Sequence, residues 1–224
     1  MKKILFFAIC VMALVFAGCD HEEPATLDKI AIEAVDLGLS VKWANMNVGA
    51  SSPEEYGDYF AWGETTTKET YNWSTYKWCN GSYTTQTKYC YDSRWGTVDN
   101  KTTLELSDDA ARANWGGSWR MPTKAEQDEL RSNCTWTWTT QNGVNGYKVT
   151  SKKSGYTNKS IFLPAAGCRY DSSLDYAGSS GYYWSSSLSR CGSHFADILV
   201  FYSGDVYGND QPRDYGKSVR PVCQ

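Results

Sequence analysis

Few side chains in this 224-residue sequence can do acid–base or nucleophilic chemistry at neutral pH. The two histidines are His21 and His194. A serine–histidine–carboxylate triad would have to use His194, and no Gly-x-Ser-x-Gly elbow presents a serine to it. Adjacent carboxylates occur as Glu54-Glu55 and Asp108-Asp109. The first pair follows Ser52-Pro53 in a turn and the second opens a helical stretch. They therefore read as turn and helix-cap charges, not as the two carboxylates of a glycosidase. No Cys-x-x-Cys occurs, so the cysteine spacing is not that of a metal site. The expectation is a protein that is not an enzyme, with no metal and no cofactor. The aromatic content points elsewhere. Sixteen Tyr and ten Trp sit in a Gly-, Ser-, Asn- and Thr-rich chain. Such side chains give large, rigid contacts at low entropic cost, which suits a binding surface.

The first residues set the compartment. Lys2 and Lys3 precede an apolar stretch from Ile4 to Phe16, too short to span a bilayer comfortably. Ala17 and Gly18 then lead into Cys19, the pattern of a lipoprotein signal. Acylation of Cys19 with two or more chains gives stable anchoring. A plain signal peptide cut near Gly18 is the other reading of these residues. Asp20-His21-Glu22-Glu23 follows, either a solvated acidic linker or an export tag. The expected organisation is a signal over 1–18, a lipidated acidic linker over 19–33 and one domain over 34–224. Loss of Lys2 and Lys3 with the signal moves the net charge from −3 to −5, and no basic patch argues for nucleic acid. Membrane contact is expected through the lipid anchor only.

Six cysteines fall within the exported domain: 79, 90, 134, 168, 191 and 223. Cys79 and Cys90 flank a hairpin-like stretch and are expected to pair. Cys168 with Cys191, and Cys134 with Cys223, complete one of several possible connectivities.

The elements that must position any site are legible in part. Val35, Leu37, Leu39, Val41 and Trp43 alternate, which predicts one half-buried strand. Residues 65–100 show no period and read as a long decorated loop containing a hairpin. Two helices follow. The first has Ser107 as N-cap with Asp108 and Asp109 in its first turn. The second has Thr123 three residues before Glu126, a capping box that predicts a helix over 124–132. TWTWTT, GYKVTSK and SIFLPAAG read as strands, with turn signals at Asn142-Gly143 and Asn145-Gly146. GYYWSSS, FADILVF and SVRPV are the closing strands. Strands on either side of a helix pair, with long late loops, predict an α+β fold.

Five blocks in order carry a resemblance: VDLGLSVKWANMNVGASSPEEYGDYFAWGE, NWGGSWRMPTKAEQDEL, IFLPAAG, GYYWSS and GKSVRPV. Together they resemble the Fibrobacter succinogenes major paralogous domain family, abundant among Bacteroidetes lipoproteins, over residues 34–222. WRMPTKAE and VRPV are also similar to the C-type-lectin-like and sulfatase-modifying-factor superfamily. The resemblance implies a C-type-lectin-like α+β core whose late loops bind ligand. It also gives the Asp20-His21-Glu22-Glu23 run the look of a tag that sends such lipoproteins to the cell surface, the periplasmic face of the outer membrane being the alternative. Within the blocks, Trp119 is expected in the core and Arg120 against a carboxylate or carbonyls. Trp184, Ser185 and Ser186 are expected to seat a strand, and Arg220 to clamp the C-terminal segment. Formylglycine-generating enzymes of that superfamily use a close C-terminal cysteine pair, whereas Cys191 and Cys223 are far apart here. Calcium-dependent lectins use Gln-Pro-Asp followed by Trp-Asn-Asp. Gln211 and Pro212 are present, but Arg213 replaces the acid and no Trp-Asn-Asp follows, so calcium is not expected.

Several members of that family are targets of diversity-generating retroelements, which rewrite adenine positions near the gene's 3′ end. Ser189, Arg190, Cys191, Gly192, Ser193, His194, Asp197, Ile198, Tyr202, Asp205, Tyr207, Gly208, Asp210 and Asp214 all lie within the set reachable from an Asn codon, as they would in a drifted paralogue too. The expected ligand-binding residues, toward an unknown protein or glycan, are Arg190, His194, Asp197, Tyr202, Asp205, Tyr207, Asp210 and Asp214; of these Arg190, His194, Tyr202, Asp205, Tyr207 and Asp214 are expected mostly exposed and clustered on one surface. Phe195, Leu199 and Phe201 are expected to point inward or to pack in the small sheet. The leading alternative is a structural cell-envelope or fimbria-associated lipoprotein. A modifying-factor-like enzyme is a third.

Overall fold

A computed structural model describes residues 31–224; the signal expected over 1–18, Cys19 and the acidic run with His21 lie outside the described residues. The fold is α+β. Strands β1 (Ala34–Val35) and β2 (Lys42–Ala44) pair antiparallel, and β11 (Val222–Cys223) joins β2 from the far end of the chain. Helices α1 (Ala110–Trp115) and α2 (Lys124–Asn133) come next. Then β3 (Cys134–Gln141), β4 (Val144–Ser151) and β5 (Ser160–Pro164) form an antiparallel meander. A short hairpin, β6 (Cys168–Tyr170) and β7 (Ser173–Asp175), precedes the last sheet. That sheet has the order β10-β9-β8, from β8 (Ser180–Leu188), β9 (Phe195–Tyr202) and β10 (Asp205–Pro212).

Strand β9 is central and buried on both faces. Leu199 and Phe201 join one core with Trp43, Leu130, Tyr147, Val149, Leu163 and Tyr183. Ala196, Ile198 and Val200 join the other with Phe60, Trp62, Met121 and Trp184. Period-two alternation thus feeds two cores, which explains a run as apolar as FADILVF. Phe195 is only half-buried. Gly181 is required at its place, because a Cβ there would lie 2.1 Å from the Phe201 ring.

Several sequence expectations hold. Thr123 accepts from the Glu126 amide and Glu126 from the Thr123 amide, a full capping box. Asn142 (φ 46°) and Gly143 (φ 83°) make the two-residue turn between β3 and β4. Arg120 forks onto Glu126 at 2.8 and 2.5 Å. Arg220 is buried and donates to Asn47 Oδ1, Ala44 O and Phe162 O, tying β2 and β5 to the C-terminal segment.

Others are corrected. The 35–43 stretch is two short strands, because the Asp36 carboxylate accepts from the Gly38 amide and turns the chain there with φ 70°. Its apolar residues still point inward. The α1 cap is Asp109, not Ser107: Asp109 Oδ1 accepts from the Arg112 amide, and a 3-10 turn occupies Leu106–Asp108. Asn145-Gly146 is not a turn but lies inside β4, where a Cβ on Gly146 would meet Leu163 O at 2.3 Å. Trp119 is half-buried edge-to-face on Trp115, and Met121 takes the core position.

The described cysteines are all free thiols. Cys79 bridges Gln86, not Cys90, so the expected hairpin carries Cys90 past it. Each thiol instead bonds locally, Cys79 to Trp73 O and Cys90 to Asp92 O. Cys168 is buried while Cys191 is exposed, and Cys134 lies in the first core at the head of β3.

Trp184 is fully buried and its Nε1 donates to Phe60 O at 2.8 Å. Trp184→Ala is expected to cost ~3–5 kcal/mol, read as a fall in Tm of roughly 10 °C or more. A melt within about two degrees of wild type would show that this side chain does not support the second core.

Candidate ligand-binding face

Register places the candidate residues. Tyr182 opposes Val200, and Val200 opposes Tyr207, so the three share one face of the last sheet. The next row is Ser180, Tyr202 and Asp205; the row before is Trp184, Ile198 and Asn209. Trp184 and Ile198 are covered by Phe60 and Trp62. In the next row Val200 is still buried, with Tyr182 and Tyr207 packed half-buried against the same core, and the rings emerge from there outward. Beside them the β6–β7 hairpin brings two more rings. Tyr170 lies 4.9 Å from Tyr215, and Tyr176 lies 6.1 Å from Tyr182. Tyr202 and Tyr207 are 6.4 Å apart.

Six tyrosines from four chain segments therefore form one face. Tyr176, Tyr170 and Tyr202 are 61, 46 and 46% exposed; Tyr182, Tyr207 and Tyr215 are half-buried. Residues 170–182 and 196–212 contain no Lys or Arg; of their five Asp, Asp197 and Asp210 project from the other face, which leaves Asp171, Asp175 and Asp205 to make the rim of this face acidic. Tyr176 holds φ 61°. A bulky residue there is strained by about 1–3 kcal/mol, and glycine would relieve it.

Beneath the rings lies Lys217, fully buried, its ammonium 5.7, 4.8 and 4.6 Å from the centres of Tyr182, Tyr215 and Trp184. Lys217 Nζ makes no hydrogen bond, and burial holds it down to about 8. Asp214, expected on the surface, is buried as well. Its Oδ1 is unpartnered and burial pushes it up to about 7. The chain dives inward there because Arg213 and Lys217 are both core residues.

The other candidates fall elsewhere. Asp197 opposes Asp210 directly. By alternation both project from the sheet face opposite Tyr207, into a groove of about 890 Å³ at the start of α2. Lys124, Arg190 and Ser189 also line it. Burial first, then Asp210 and Asp128, push Asp197 up to about 6, against Lys124 and Arg190. Ser189 donates to Asp210. His194 occupies a third place, its ring 4.1 Å from Trp95 and 4.0 Å from Phe195. Burial and then Arg213 depress its pKa, and its Nδ1 is enclosed without a partner. Ser189, Gly192, Ser193 and Ile198 are buried too, so not every loosely patterned position faces out. Nor is the stretch after Tyr202 a loop: residues 205–212 are strand β10.

Tyr202 is exposed as expected, whereas Tyr207, expected mostly exposed, is half-buried; Tyr170, Tyr176, Tyr182 and Tyr215 were not among the expected residues. The signal available was Tyr170 and Tyr176 bracketing Asp-Ser-Ser, a turn that would lift both rings out together. Among the described residues no three His, Cys, Asp or Glu side chains converge to hold a metal ion. No known family, curated protein or solved structure matches this chain.

The orphaned Asp214 gives a pH test. A carboxyl whose folded pKa lies above its unfolded value contributes stability at low pH that is lost as pH rises through the folded value. The window here runs from the model-peptide 3.8 to about 7. Lys217, at about 8, stays charged below that and adds little slope. Wild type is expected to lose on the order of 2–4 kcal/mol relative to Asp214→Asn between pH 4 and pH 7. Parallel stability curves for the two proteins would contradict the burial of an unpaired carboxyl.

Proposed function

We propose that this chain is a non-enzymatic ligand-binding module, a lipoprotein of the major paralogous kind with a C-type-lectin-like core, displayed on the outer surface of the cell. The tyrosine face carries the reading. Tyrosine is a usual anchor of recognition surfaces, and rigid rings with an acidic rim make contact area without chemistry. His194 supports the same reading, because a neutral imidazole packed among Trp95 and Phe195 is poorly placed as a base. The lipobox-like FAGC and the acidic run after it support the location.

Glycan and protein arrays, with and without calcium, are the direct test, using two variants whose stability should respond differently. Tyr202→Ala is expected to leave Tm nearly unchanged and weaken capture by ~2 kcal/mol or more. Tyr176→Gly is expected to hold or raise Tm by releasing the positive φ, while also weakening capture. Tyr207→Ala is not a clean probe, since that ring packs against the second core. Array binding unaffected by both clean variants would remove the face from the function and favour a structural envelope role. External protease on intact cells is expected to remove the protein, and Cys19→Ala to release it from membranes; full protection on intact cells would place it inside.

A further inference from the structure

The last sheet has two outer edges, and they are treated differently. The β8 edge is occupied: Trp184 N donates to Ser218 O, Ser186 N to Pro122 O and Leu188 N to Thr102 O, while Ser180 O accepts from Gly167 N. Among the described residues no strand pairs with the outer edge of β10.

That edge is long and regular. It runs eight residues in unbroken register with β9, without a bulge. The ladder continues into Arg213 N donating to His194 O. Counting back in twos, Gln211, Asn209, Tyr207 and Asp205 bond to β9, and the backbone of Val206, Gly208 and Asp210 faces outward. Val206 N fits this, being met by the Asp205 carboxylate at 2.8 Å. Natural proteins blunt such edges with bulges, proline or lysine. Here proline comes only at the last residue, and no lysine lies on the strand.

The surroundings state what such an edge would accept. On one face Asp197 and Asp210 stand directly opposite each other, an unfavourable like-charge pair kept within the groove. On the other stand Tyr202, Tyr207 and Asp205. An added strand sends alternate side chains to these two faces. A basic side chain on the first face would relieve the carboxylate repulsion. On the second it would find tyrosine rings suited to a cation. The other long edge, β3, carries no charged residue.

We propose that the outer edge of β10 binds an extended, basic segment of a partner polypeptide by strand addition. This rests on the reading of the late strands as a ligand-binding region and narrows the ligand from protein or glycan to a protein segment. Gly208 and Asp210 exchange backbone hydrogen bonds with the segment, and Asp197 and Asp210 receive its Arg or Lys.

The probe is a synthetic alternating Arg-Thr peptide, with its Glu-Thr counterpart as control, titrated into the domain by NMR. The Arg peptide is expected to bind and to protect the Gly208 and Asp210 amides from exchange; the Glu peptide is not. N-methylation of alternate peptide amides should abolish binding in one parity and leave it in the other. Gly208→Pro, which keeps the bonds to β9 but removes an outward N–H, should abolish it too, and Asp197→Asn with Asp210→Asn should weaken it roughly ten-fold or more. If Gly208→Pro fails to fold, the N-methyl scan decides. No binding, or binding indifferent to N-methylation in both parities, overturns the proposal. Array capture that depends on Tyr202 while the peptide fails would leave the tyrosine face standing and remove the edge alone.

Discussion

One buried guanidinium holds the late strands to the rest of the molecule. Arg213 is fully buried, and its Nε, Nη1 and Nη2 donate to the Tyr76 hydroxyl, to Ser193 O and Tyr89 O, and to Lys88 O. Its plane lies 4.9 Å from Trp62, 5.3 Å from Tyr76 and 5.8 Å from Tyr89. A charge removed from water is tolerated only where such a shell replaces the hydration. The shell comes from three places at once, Trp62, the 76–89 part of the long excursion and the β8–β9 connection, and all three close on a residue at the end of β10. An excursion with almost no regular structure is thereby pinned, and β10 leaves the core at a fixed point. The tyrosine rows open only beyond that point.

Much of the scaffold was legible because its signals are local. The Thr123–Glu126 box, the Asn142-Gly143 turn and the apolar closing strands each depend on a few neighbouring residues. What was not legible depends on distant partners. Asp36 turns the chain within what reads as a strand, because an Asx turn outweighs alternation over so short a run. Ser107 and Asp109 are both good caps, and the choice fell to Asp109, whose second oxygen also takes the Met121 amide. Asn145-Gly146 has turn chemistry, yet β5 lies too close for any residue larger than glycine.

The tyrosine face shows the same division. The exposure of Tyr202 was legible from position alone, while that of Tyr207 was overestimated because its ring packs against the second core. Tyr170, Tyr176, Tyr182 and Tyr215 were not legible, since only the packing of the β6–β7 hairpin beside the last sheet gathers them. Asp214 is the reverse case. Arg213 and Lys217 beside it read as surface charges, and only the packing that buries them both takes Asp214 inside. The lack of a period over 205–212 has a physical cause too. An outer strand with one face in a groove and the other among half-buried rings has no uniformly apolar side, so alternation leaves no imprint.

The pairing of β2 with β11 joins Val222 to Trp43, and Arg220 donates to Asn47. The first core and the first sheet therefore cannot close until nearly the whole chain is available. Contacts of such long sequence separation form late and slowly. During synthesis the first sheet stays open until β11 has been made. Until that strand is in place Trp43 and the rest of the first core lack one of their walls, and the same late pairing completes the domain.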